Sequence, residues 1–287
     1  MRSPTLHLAF LLTAAAFRSA PPAAWRTART VIEQSPRAPP PLGRTRIRSF
    51  VVTDMDETLI SKTSTGYVIR FMVAYRAYAR LALVPAFAVL LWPLSKISRP
   101  LAVRAMYWFA FRGVDVRRAH AISTNVLAPL YARDLQDPAA SAVVRADVAA
   151  VITASPTFMA APWLATYLGV CNDRVVGAEL EQANGRYTGR MRGELPMGEA
   201  KAVALRRLRD SPVGRDADVV GYGDHPTDLP LLEACDRGVL VHPLTKRRKR
   251  NSPAGDGETV GDATTAAIER VDGTRFGDLD ALLKKVS

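Results

Sequence analysis

Phe50-Val51-Val52-Thr53 runs directly into Asp54-Met55-Asp56-Glu57-Thr58, and this junction limits the chain's folding choices more than any other stretch. A β-branched apolar run that stops on polar residues reads as a buried strand ending in a loop. In open α/β sheets, such loops at the carboxyl ends of parallel strands are where ligands bind. Asp54 and Asp56 would therefore stand at the mouth of a sheet. Two carboxylates so close repel each other, unless a cation lies between them or one of them keeps its proton.

Two later stretches repeat the pattern. Val148 to Thr153 is a second buried strand and ends in Thr153-Ala154-Ser155, with Pro156 opening a helix to Leu168. Hydroxyls at a strand end beside a helix N-terminus suit an anion such as phosphate. Asp218 to Tyr222 is a third strand, and it ends in Gly223-Asp224-His225-Pro226-Thr227-Asp228. The glycines on both sides of Tyr222 permit close backbone approach. Between these strands, Asn184-Gly185 marks a type I′ hairpin linking 174–180 to 186–190. Gly198 to Arg209 is a helix with Lys201 in its first turn, where a cation opposes the helix dipole and an anionic partner would explain it. Gly238 to Val241 is a last strand.

The stretch from Tyr67 to Phe111 is unusually apolar, with Leu81 to Leu94 uninterrupted. Pro85, Pro93 and Pro100 are expected to kink or break any helix here. No window reaches the roughly 20 uncharged residues of an ordinary spanning helix. The segment reads as a re-entrant or interfacial helical hairpin, with Trp92 and Trp108 at the headgroup level and Arg70, Arg76, Arg80, Arg99 and Arg104 as flanking cations. A buried helical subdomain is the alternative. Asp115 to Leu135 follows as an amphipathic helix capped by Asp115, its apolar face made by Val116, Ala119, Ile122, Val126, Leu127 and Leu130. His120 within it reads as packing or surface rather than catalytic.

The 287 residues are 48% hydrophobic, enough for one α/β core. The net charge of +12 lies mostly at the two ends and around the apolar stretch. With no zinc-finger spacing and no basic stretch interleaved with aromatics, nucleic-acid binding is not expected. Cys171 and Cys235 are the only cysteines and read as buried filler.

Arg2 and the apolar run Leu6 to Phe17 have the form of a signal-peptide core, and Arg18 to Arg48 contains Glu33 as its only acid. Together they resemble the bipartite plastid presequences of algae with secondary plastids. A plain secretory signal or anchor with a linker shares that composition, so plastid and secretory membranes both stay open. Residues 1–48 are expected to lie outside the fold. Lys246 to Arg250 is a basic run in a polar segment, 244–287, which has a short amphipathic end near 279–286.

Taken in order, Asp54-Met55-Asp56-Glu57-Thr58, Thr153-Ala154-Ser155, Lys201 and Gly223-Asp224 with Asp228 resemble the four motifs of the haloacid dehalogenase superfamily of phosphohydrolases. The helical insertion after the first motif and the Asn184-Gly185 hairpin look most like its phosphoserine-phosphatase-like branch. The stretch 50–243 is closer still to the amino-terminal half of land-plant glycerol-3-phosphate acyltransferases. The resemblance implies an α/β fold over 49–243, a Rossmann-like parallel sheet with an apolar helical cap at about 60–146. It implies Asp54 as nucleophile through an aspartyl-phosphate, and Asp56 as acid and base. Mg²⁺ would be held by the side chains of Asp54 and Asp224 and the carbonyl of Asp56. Thr153, Ser155 and Lys201 would hold the phosphoryl oxygens, with Asp228 orienting Lys201 or a metal-bound water. Glu57 departs from the small residue that many relatives carry.

Acyl transfer is not expected, because those acyltransferases place Asp five positions after a His. Here His7, His120, His225 and His242 are followed at that distance by Leu12, Asn125, Pro230 and Arg247. The expected activity is a magnesium-dependent phosphomonoesterase whose membrane-associated cap selects a lysophosphatidate or glycerol-phosphate-type substrate. Two alternatives remain at this point: a soluble phosphoserine-type phosphatase, and a non-catalytic partner of a separate acyltransferase.

Overall fold

The computed structural model describes residues 49–211, 217–242, 268–272 and 274–275. The leader 1–48, the basic run Lys246–Arg250 and the amphipathic end at 279–286 lie outside the described residues.

The first strand, β1 (Ser49–Thr53), is the centre of a seven-stranded sheet. It pairs in parallel with β3 (Val148–Pro156) on one side and β6 (Asp218–Gly223) on the other. Beyond β3 come β4 (Val175–Ala183), parallel, and β5 (Arg186–Arg192), antiparallel to β4. Beyond β6 come β7 (Arg237–His242) and β8 (Ile268–Asp272), both parallel. The β4–β5 turn holds Asn184 and Gly185 at φ 50° and 71°, as a type I′ turn demands. Two short strands, β2 (Gln136–Asp137) and β9 (Thr274–Arg275), pair separately.

The middle of β1, Phe50–Val52, is continuously apolar because both of its faces are covered. Successive residues point to opposite sides. Val51 packs in the larger core with the cap helices, and Phe50 and Val52 pack in a smaller core with Ile152, Leu205, Val219 and Leu231. The carboxyl ends of β1, β3 and β6 therefore open side by side.

Between β1 and β2 the chain builds the cap. Helix α1 (Ser64–Tyr75) is mostly buried and ends on Arg76 in the left-handed region. Helix α2 (Tyr78–Ile97) has no buried residue. Helix α3 (Arg99–Phe111) folds back along it after an extended Ser98. The two are tied by the stacked rings of Phe87 and Phe109, 4.2 Å apart, and by Arg80, which donates to the carbonyls of Ala110 and Arg112. The expected kink or break at Pro85 and Pro93 is corrected as to the break: α2 runs 20 residues through both. Each proline removes only one amide donor and its fixed φ is already helical. No residue of this helix is fully buried, so its shape is free to adjust to both rings. The break falls at Ser98, and Pro100 sits in the first turn of α3, where its missing N–H costs nothing.

The next helix, expected over 115–135, is divided. Asp115 caps α4 (Val116–Ile122) by accepting from the Arg118 amide at 2.9 Å. A π-helical turn over Ser123–Leu127 then shifts the register before α5 (Ala128–Arg133). Helix α6 (Ala139–Arg145) leads into β3, and α7 (Thr157–Leu168) follows it. Helix α8 (Glu199–Arg209) precedes β6, and the short α9 (Leu229–Glu233) precedes β7.

Two further expectations are corrected. Gly238–Val241 is not the last strand, since β8 extends the sheet with residues read as part of a polar tail beyond 243. Ile-Glu-Arg-Val-Asp carries too many charges to look like a strand, yet an edge strand needs to bury little. Cys235 is buried as expected, but Cys171 is half-buried.

Candidate active site

Asp54 continues the β1 ladder by one residue, its amide donating to the Tyr222 carbonyl at 2.9 Å. The chain then turns sharply: the amides of Leu59 and Ile60 both donate to the Met55 carbonyl at 3.0 Å. Glu57 takes φ 57° in this turn, which explains why a small residue suits the position. Gln136, fully buried on β2, holds the turn from the far side by donating to the carbonyls of Glu57 and Thr58.

The seven side chains expected at the site are gathered here. Lys201, 3% exposed on the first turn of α8, lies 2.7 Å from Asp54 Oδ1 and 2.6 Å from Asp228 Oδ1. Asp228 Oδ2 accepts from the backbone amides of Asp224 and His225 at 3.2 and 3.0 Å. Both oxygens of Asp228 are thus spent on holding the lysine and the β6 loop. Asp224 Oδ1 accepts from Thr58 Oγ1 at 3.3 Å, joining the loops after β6 and β1. Gly223 makes this possible, because a Cβ there would lie 2.6 Å from that of Asp228. The glycine gap at 221 and 223 accommodates the protein's own Cys235 and Asp228.

Asp56 faces the cap. The Ser64 amide donates to its Oδ2 at 2.8 Å, and the Ser64 hydroxyl to its Oδ1. Ser64 is the first residue of α1, so the amide is one the helix leaves free and its dipole favours the carboxylate. Ser155 completes the group, bonded to the Ser64 hydroxyl and 3.5 Å from Asp56 Oδ1. Its own amide donates to Thr153 Oγ1 at 3.1 Å, and both Thr153 and Ser155 are about 1% exposed.

Burial dominates the electrostatics. It pushes the Asp54 carboxyl well above the usual range, with Lys201 opposing and Asp228 and Asp56 adding to the rise. Asp56 is raised for the same reason, against the pull of its two bonds from Ser64. Burial draws Lys201 down, but Asp54 and Asp228 outweigh it and hold the ammonium protonated above its ordinary value. The site thus keeps one buried cation among carboxylates, with burial biasing both Asp54 and Asp56 towards carrying a proton.

The carboxylate oxygens of Asp54, Asp224 and Asp228 lie within 4.8 Å of one another. These are the hard oxygen donors a small divalent cation takes, and a cation would offset the mutual repulsion that burial sharpens. Since Asp228 is engaged elsewhere, Asp54 and Asp224 are the side chains that fit such an ion.

Helix α3 lies across this mouth. At its far end, Trp108 packs on Gly189 of β5, where φ is 84° and a Cβ would come within 3.1 Å of the helix backbone. Tyr107 Oη donates to the Ala154 carbonyl after β3 at 2.9 Å, and Arg104 to the Gly193 carbonyl at 3.0 Å. At its near end Arg99 Nη1 meets His225 Nε2, next to Asp224, at 2.9 Å. Sequence reasoning missed Arg99, Tyr107, Gln136 and Ser64 as neighbours of the site. The one local signal was Ser64 at the start of an apolar run.

The family model of haloacid dehalogenase-like hydrolases matches residues 51–233, more than half of the chain. The chain belongs to that family. Among curated members, a glycerol-3-phosphate acyltransferase of Petunia hybrida is 30% identical over 148 residues, 51% of this chain but only 30% of its own length. A probable phosphatase of Mycobacterium tuberculosis is 27% identical over 229 residues, covering 77% of this chain and 78% of its own. A Bordetella pertussis protein of unknown function shares the hydrolase fold with TM-score 0.55 and 25% identity, over 71% of this chain and 94% of that one.

Proposed function

We propose that this haloacid dehalogenase-type hydrolase is a magnesium-dependent phosphomonoesterase acting at a membrane surface on a lysophosphatidate or glycerol-phosphate-type substrate. The observation that carries the substrate reading is the placement of the hairpin. Among the described residues, every exposed large hydrophobic side chain except Val144 lies between Tyr78 and Trp108, on α2 and α3. Exposed apolar surface of this extent marks a membrane or protein contact. Helix α2 has a mean hydropathy of 1.5 and is, among the described residues, the one helix long and apolar enough to cross a membrane. Because α3 covers the site and α2 lies along α3, a bilayer touching α2 would lie directly over the catalytic mouth. A substrate with a lipid tail could then remain in the bilayer while its phosphate reached Asp54.

The chemistry follows from the residues. Asp54, its charge balanced by Lys201, attacks phosphorus as the bond to the leaving oxygen breaks, and Asp56 gives that oxygen its proton. Asp56, now a base, takes a proton from the water that displaces the aspartyl oxygen, which releases phosphate and restores Asp54. Lys201, Thr153 and Ser155 bind the phosphoryl oxygens, while Asp228 keeps Lys201 in place. Asp54, Asp224 and the Asp56 carbonyl would hold Mg²⁺, which when bound neutralises charge on the phosphoryl group.

The test is phosphate release by purified chain from lysophosphatidate, glycerol 3-phosphate and phosphoserine, with magnesium or chelator, beside Asp54→Asn. Metal-dependent release that Asp54→Asn abolishes, with lysophosphatidate preferred in vesicles, is the expected result. Preference for phosphoserine without vesicles would move the chain to soluble metabolism. No release from folded protein, together with co-purification of an acyltransferase, would favour a binding partner of that enzyme, a reading motivated by the petunia relative.

A further inference from the structure

The groups that a phosphate ester has to touch are shut away from water. Asp54 is 6% exposed, and Lys201, Thr153 and Ser155 are buried more deeply still. A phosphate reaches them only when an element over the mouth moves. Helix α3 crosses that mouth, and its two ends are held differently. At its base Tyr107 and Phe111 are fully buried, Phe111 packs edge-on against Phe71 and Phe158, and Arg80 of α2 donates to the Ala110 and Arg112 carbonyls. At its tip Arg99, Pro100 and Leu101 are exposed, and Arg99 rests on His225.

The tip contact is weak by its chemistry. Arg99 Nη1 lies 2.9 Å from His225 Nε2 and 3.4 Å from Nδ1, so it stands over the ring and not in the line of either lone pair. Nδ1 is also met by the Thr227 amide at 3.1 Å and the Thr227 hydroxyl at 3.0 Å. A guanidinium held by an imidazole face has a stronger partner in phosphate, whose oxygens match its fork of donors.

The same tip is suited to a bilayer. From 58 to 114 the chain contains no Asp or Glu. Lys96 and Arg99 flank the turn around Ile97, with Trp92 before it and Leu101 after it, all three of these apolar side chains exposed. Apolar side chains seated at the acyl boundary bring such cations to the level of the lipid phosphates, and anionic headgroups attract them further.

We propose that an anionic bilayer opens the active site: lipid phosphate takes Arg99 from His225, and the tip of the α2–α3 hairpin lifts towards the membrane while its base at Tyr107 and Phe111 stays in the core. This rests on the phosphomonoesterase reading and adds its regulation. In water the hairpin covers Asp54, and the site opens where a lipid-borne ester is at hand. The bilayer acts as a ligand with the higher affinity for the open arrangement, and so shifts the balance between two states.

The test follows hydrolysis of p-nitrophenyl phosphate, a soluble ester that needs no membrane, by the full chain with magnesium. Vesicles of phosphatidylcholine with phosphatidylglycerol should raise kcat/KM by about 10-fold, within the usual range of coupling between two sites. Vesicles of phosphatidylcholine alone should not. Arg99→Gln should be faster than the parent without vesicles and gain less from them, whereas damage to the fold would make it slower. Leu90→Glu with Ile97→Glu should lose the response to vesicles. No gain with the anionic vesicles, an equal gain with both kinds, or a slower Arg99→Gln would each overturn the proposal. Amide hydrogen exchange in the loop 224–228 is a readout without turnover, and it should quicken on anionic vesicles and in Arg99→Gln. If no ester is hydrolysed while exchange quickens, the opening stands and the hydrolase mechanism falls. If hydrolysis proceeds while neither rate nor exchange responds, the hydrolase stands and the opening falls.

Discussion

Lys201 Nζ lies 2.6 Å from Asp228 Oδ1, and both side chains are buried. Removing one member of a buried pair leaves the other charged and poorly solvated. Asp228→Ala should therefore lower stability by about 3 kcal/mol, the low end for such a change because Asp54 still faces the lysine. Urea denaturation followed by circular dichroism measures it, and a loss below about 0.5 kcal/mol, the range of ordinary surface changes, would show that Asp228 is not holding Lys201.

Ser64 links the cap to the acid. Its two bonds to Asp56 bring the first turn of α1 onto the residue proposed to protonate the leaving oxygen. Ser64→Ala should reduce kcat for glycerol 3-phosphate by about 10- to 100-fold, a part of the ~10²–10⁴ that positioned acid catalysis supplies. Ser64→Thr should recover most of it. p-Nitrophenyl phosphate, whose leaving group needs no proton, should lose much less, and an equal loss for both esters would contradict a role through Asp56.

Leu90 and Ile97 are 70% and 83% exposed on α2. Replacing both with glutamate should change stability by less than about 0.5 kcal/mol each, as surface positions do. At a bilayer the same charges cost about 2.5 kcal/mol each or more. Flotation of the double variant with anionic vesicles should be lost and its action on vesicle-borne lysophosphatidate should fall, while glycerol 3-phosphate hydrolysis persists. Unchanged flotation would remove α2 from the membrane contact.

Asp236 gives stability a pH dependence away from the site. Partial burial works against its charge, but the Val219 amide at 2.7 Å and Arg209 at 2.8 Å outweigh that and hold its pKa below the usual value. A depressed carboxylate stabilises the folded chain above its unfolded pKa of about 3.9, and that contribution is lost as pH falls through the folded value. Asp236→Asn should therefore melt lower than the parent at pH 7, the gap closing below about pH 4. Melting curves across that range would show it, and a gap independent of pH would assign the effect to packing.

The ends of β1, β3 and β6 were legible because Asp54, Thr153 and Asp224 stand where apolar runs stop, and a run that stops on chemistry can be seen locally. Lys201 was legible as a cation on the wrong end of a helix. Gln136 was not: it reaches the site only because the chain folds back after the cap helices, bringing it to the Glu57 turn 79 positions earlier in the chain. The division of the 115–135 helix was hidden because the extra residue of a π turn shifts the apolar spacing by only one position, too little to read in so short a helix. Pro85 and Pro93 misled because their cost depends on what surrounds the helix, and no residue of α2 is fully buried.

The parallel pairing of β8 with β7 bears on how the protein should be handled. A truncation at 243, which the strand-end motifs alone would recommend, would strip Ile268–Asp272 from the sheet and leave β7 with a bare row of amides and carbonyls. Such a fragment would keep every candidate catalytic side chain and gain an adhesive rim, so its precipitation would say nothing about whether the intact chain binds lipid.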